Sequence, residues 1–172
     1  MALDREPIYA ALLVRLQTVP RLGSMGVSRR YVDLAKVQPT EQPGLLLITG
    51  NETAEHRIGL PAKWMLRPTV VLYARTDLDA GTGASAADYL IGVPGQPSSA
   101  PGTTLAALLT AVERAVEWGA GDSPFAAQRS AGTSLGDLCL YCRIASIDVG
   151  EGIESGQAMA AINLEILCFG AS

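Results

Sequence analysis

The stretch Ala158-Met-Ala-Ala-Ile-Asn-Leu-Glu-Ile-Leu-Cys168 sets Ala158, Ala160, Ile162, Leu164, Ile166 and Cys168 at every second position. Side chains two apart project to one side of an extended chain, so this pattern predicts a long strand with one buried face. Leu138, Leu140, Cys142 and Ile144 alternate in the same way just upstream. The Gly/Glu-rich residues Asp148 to Gly156 between the two read as a turn, which makes the strands an antiparallel pair.

Working back toward the N-terminus, Lys63 to Arg75 carries Trp64, Leu66, Val70, Leu72 and Ala74 on one alternating face, with Pro68 marking a bulge or an edge. Leu45 to Thr49 is a short apolar run that suits a central strand, and Gly50 to Pro61 reads as a polar connection. Val27 to Lys36 reads as a more polar strand. Two segments change to helical period. Ile8, Leu12, Leu16 and Val19, widened by Tyr9 and Leu13, predict a helix from Asp4 to Val19, with Asp4 as cap, Pro7 in the first turn and Pro20 as its stop. Leu105, Leu108, Leu109, Val112 and Val116 predict a second helix from Thr103 or Thr104 to Trp118, closed by Gly119.

The resulting order is α-β-β-β-α-β-β. Without βαβ alternation it predicts an α+β fold, a mainly antiparallel sheet with two helices on one face. Residues 1–172 read as one domain. Its one long irregular loop or arm, at about 76–102, is rich in Gly and Pro and holds the apolar residues Tyr89, Leu90, Ile91 and Val93. Loops of this length in a compact domain are usually functional. These four residues are therefore the candidate interface, a partner-facing anchor.

Composition narrows the function classes. The 172 residues include 13 Lys+Arg and 17 Asp+Glu, a net charge of −4, which argues against a basic nucleic-acid-binding surface. Hydrophobic residues make up 48%, too many for a disordered chain. No stretch approaches the roughly 18 apolar residues of a bilayer helix, and no export signal or membrane partner is expected. The three cysteines are then expected to be reduced thiols. Charged residues are only 17%, against roughly 25% in typical soluble domains. A surface so weakly charged must be covered by small residues or by other subunits, so an oligomer is expected.

No motif supplies chemistry. Cys139-Leu-Tyr-Cys142 has C-x-x-C spacing, but on an extended strand its thiols would point to opposite faces. Gly132-Thr-Ser134-Leu-Gly136 matches a nucleophile elbow in letters, yet it lacks the preceding strand, the following helix and a later histidine. Gly81-Thr-Gly83-Ala-Ser-Ala86 lacks the helix and the downstream acid of a dinucleotide site. Asp77 and Asp79, and Asp148, Glu151 and Glu154, lack calcium-loop spacing and read as solvated carboxylates. His56, beside Glu52 and Glu55, reads as a surface residue. No catalytic residue, cofactor site or metal site is assigned. A small cytosolic enzyme or ligand-binding domain built from distant residues stays open.

The order of segments resembles the tail terminator and tail-completion proteins of long-tailed bacteriophages and prophages. The resemblance rests on Asp4-Arg-Glu-Pro-Ile-Tyr-Ala-Ala-Leu-Leu-Val-Arg-Leu16, Glu41-Gln-Pro-Gly-Leu-Leu-Leu-Ile48, Trp64-Met-Leu-Arg-Pro-Thr-Val-Val-Leu-Tyr-Ala-Arg75, Leu105 to Val116, and Gly156-Gln-Ala-Met-Ala-Ala-Ile-Asn-Leu-Glu-Ile166. It covers nearly the whole chain as a pattern of apolar spacing. It implies a structural virion protein, not an enzyme, that forms a hexameric ring at the tail–neck junction after assembly in the host cytoplasm. The implied partners are copies of itself, the tail tube protein, a neck or head-completion protein, and genomic DNA that only passes through the bore. Other neck, head-completion or tube roles share these features. Residues 76–102 exceed the connection typical of smaller relatives, so no residue there takes a role from the resemblance.

Overall fold

The computed structural model describes residues 3–20, 22, 24–30, 32–33, 36–37, 41, 43–56, 58–75, 105–118, 134–152 and 157–170. The candidate interface Tyr89, Leu90, Ile91 and Val93, and the whole 76–102 arm, lie outside the described residues. The fold is α+β, with helices α1 (Glu6–Leu16) and α2 (Leu105–Glu113) and a seven-stranded, mainly antiparallel sheet. Helix α2 runs on into a π-helical turn, Arg114–Trp118.

The strands are β1 (Val27–Ser28), β2 (Gly44–Ile48), β3 (Glu52–Glu55), β4 (Lys63–Leu66), β5 (Thr69–Arg75), β6 (Tyr141–Gly152) and β7 (Gln157–Phe169). Their registers resolve the sheet into fewer, longer courses. Both β4 and β5 pair with β7, from Lys63↔Phe169 to Leu66↔Ile166 and from Thr69↔Asn163 to Arg75↔Gln157. The register does not slip between them, and the Leu164 N–H donates to the Pro68 carbonyl at 2.9 Å. They are one strand in which Pro68 deletes a single ladder donor. On its other side, β2 pairs with β5 and β3 with β4, ending at Ile48↔Thr69 and resuming at Glu52↔Leu66. Thr49, Gly50 and Asn51 thus face only Arg67 and Pro68, a one-residue bulge. Gly50 is required there because a Cβ would fall 1.8 Å from the Arg67 carbonyl oxygen. The sheet therefore reads β1, then β2/β3, then β4/β5, then β7, then β6.

One face of this sheet is the core. Ala160, Ile162, Leu164, Ile166 and Cys168 of β7 are all buried, as the period-two reading predicts. They stand beside Leu72, Val70 and Leu66, and Leu72 and Val70 in turn stand beside Leu45 and Leu47. Ile8, Tyr9, Leu12 and Leu16 of α1, with Leu108 and Val112 of α2, join the same apolar cluster, so both helices cover this face.

Several boundaries differ from the sequence reading. The first helix is shorter than Asp4–Val19: Asp4 accepts a bond from the Glu6 N–H at 3.3 Å, and the chain turns after Leu16 as Thr18 bonds the Arg15 carbonyl. Among the described residues of the expected 27–36 strand, only Val27 and Ser28 pair. The Ser28 hydroxyl takes the Arg30 N–H, and the Lys36 N–H turns back to the Asp33 carbonyl, so local bonds replace the ladder. The expected polar connection 50–61 contains β3, whose four residues leave little apolar signal. Strand β6 extends to Gly152, because long β7 supplies ladder partners for residues that resemble a turn. Leu138 and Leu140 do not share the buried face of Cys142. They precede β6 and are 40% and 51% exposed, since Leu135, Gly136 and Asp137 all take positive φ and redirect the chain.

Two substitutions test this architecture by chemical denaturation. Gly50→Ala should cost about 2–3 kcal/mol through the clash with the Arg67 carbonyl. Tyr9→Phe should cost nothing or stabilise slightly, because the buried Tyr9 hydroxyl has no hydrogen-bond partner among the described residues.

Candidate functional site

The opposite face of the sheet carries no described helix. A polar belt crosses its middle. Asn163 of β7 accepts a bond from the Thr69 hydroxyl at 2.9 Å and donates to Ser146 at 3.0 Å and Asp148 at 2.8 Å. One row along, Glu165 takes the Arg143 guanidinium through Nε at 3.0 Å and Nη2 at 2.6 Å, with Arg67 at 3.9 Å on its other side. Pairing with Glu165 holds the Arg143 pKa above its ordinary value. These cross-strand contacts use up the belt's side chains on each other.

Apolar surface flanks the belt. At the β5–β7 end, Met159 is 41% exposed, whereas neighbouring Tyr73 is buried and donates to the Met25 sulfur. At the other end, Leu60, Pro61, Leu140, Leu167 and Phe169, together with Glu55 and Lys63, line a cleft of about 380 Å³. Leu60, Leu140 and Phe169 are each at least half exposed. A second cleft of about 250 Å³ shares Glu55, Lys63 and Leu167 and continues past Met65 to Arg67. Together they form one furrow along β3 and β4. The β3–β4 turn rises beside it with Ile58 fully exposed. Single exposed aliphatics are ordinary, but here Ile58, Leu60, Leu140 and Phe169 are exposed together.

The sequence reading missed this furrow. Its lining comes from three separated stretches, 55–63, 140 and 167–169, that only the β4–β7–β6 pairing brings together. The usable signal was local: Ile58 and Leu60 sit in a turn that offers them no core.

The other residues weighed in the sequence fall elsewhere. Cys139 lies before β6, not on a strand, and both it and Cys142 turn into the core with Cys168, so the argument from opposite strand faces does not apply. The Ser134 hydroxyl lies in a tight turn and bonds Asp137. His56 is exposed, with its ring edge-on to Trp64 at 6.4 Å. Glu52 is taken by Arg5, whose guanidinium sits 4.9 Å over the Trp64 ring. Asp148 belongs to the belt. Asp77, Asp79, Glu154 and Gly81 to Ala86 lie outside the described residues, as does the Glu151 side chain. Among the described residues no three metal-ligating side chains converge, and no helix is long and apolar enough to cross a membrane. No model of a known protein family and no curated protein sequence matches the chain.

Burial gives the thiols a pH signature. It pushes Cys139 up to about 12 and Cys168 up to about 11, from an ordinary value of 9.0. Tyr73 is likewise raised to about 12, chiefly by burial. The folded chain keeps these groups protonated while the unfolded chain ionises its thiols from about pH 9, so their contribution is complete below that pH and is lost on rising through the folded values. The melting temperature should therefore fall between pH 9 and 11, and Cys139→Ala with Cys168→Ala should flatten that fall.

Proposed function

We propose that this protein is a ring-forming structural subunit at the head-proximal end of a phage tail. There it ends growth of the tube and joins it to the neck, and it carries out no catalysis. The observation that carries this reading is a sheet face that no described helix covers, with Met159 exposed on one side of a saturated polar belt and Leu60, Leu140 and Phe169 exposed on the other. Unlike patches that meet between copies give a head-to-tail contact, and such a contact closes into a ring where the rotation from copy to copy completes a turn. The low charge content agrees, since lateral neighbours take surface that charges would otherwise cover. The segment order supports the same assignment through its resemblance to tail terminators.

DNA passing a ring must slide, and a net charge of −4 suits a bore that avoids firm phosphate contacts. The partners in this reading are copies of the chain, the tube protein on one axial side and a neck protein on the other.

Mass photometry and negative-stain microscopy of the purified protein test the proposal. Closed rings with six times the 18.0 kDa protomer mass are the expected result. One ring per tail separates a terminator from a tube subunit, which would stack in many. Phe169→Asp with Leu140→Asp should reduce ring formation at least tenfold at unchanged protomer melting temperature. A chain that stays monomeric at every concentration and on tube ends would overturn the assignment.

A further inference from the structure

We draw no further inference here: the strongest candidate, the apolar furrow along β3 and β4 lined by Leu60, Leu140, Leu167 and Phe169, carries none because Glu55 and Lys63 line it with opposite charges that select no occupant and nothing in the structure shows what covers it.

Discussion

Strand β7 is hydrogen-bonded on both edges: β4 and β5 flank one side from Lys63 to Arg75, and β6 the other from Tyr141 to Gly152. Each of its core-facing residues is thereby fixed between neighbours before any helix is placed. Ile162 stands beside Val70 and Ile147, and Ile166 beside Leu66 and Cys142. The helices complete this surface. Leu12, Leu16, Val112 and Val116 have no exposed area, and they bury it against the β7 row and its flanks. A side chain removed from that row leaves a void bounded by both layers, the costly kind of core change.

The two bulges adapt this ladder to what each end must do. At Gly50 the extra residue reverses which parity faces inward, so that Leu45 and Leu47 are core residues while Glu52 is the inward position of β3. That places Glu52 within reach of Arg5, at the start of the first helix, and ties the helix to the sheet edge. At Ala145 the same device turns β6, so that Ile144 and Ile147 both pack toward the core. A bulge also increases local twist and makes an edge strand a poorer template for uncontrolled pairing.

How far the sequence disclosed this depends on where each signal resides. The β7 face, both helices and the α+β class were legible, because apolar side chains recur there at the period of the element. β3 was not legible: Glu52, Thr53, Ala54 and Glu55 pair along the edge of the sheet and are set by β4 rather than by their own composition. The positive φ of Leu135 and Asp137 on either side of Gly136 was equally hidden, since in non-glycine residues it leaves no compositional mark. It cost Leu138 and Leu140 their expected places in the core. The furrow was invisible for a different reason. Leu60, Leu140 and Phe169 belong to three stretches, and only the long-range registers make them neighbours. The belt around Asn163 and Glu165 read simply as the polar half of an alternating strand.

The central position of β7 also bears on the order of events as the polypeptide is made. Thr69 and Asn163 touch across 94 positions of chain, so strands from the first half leave the ribosome long before their shared partner. Until then the β4/β5 course has one bare edge and the first helix lacks most of its floor. Cooperative closure of the sheet waits for translation to reach residues 157–169.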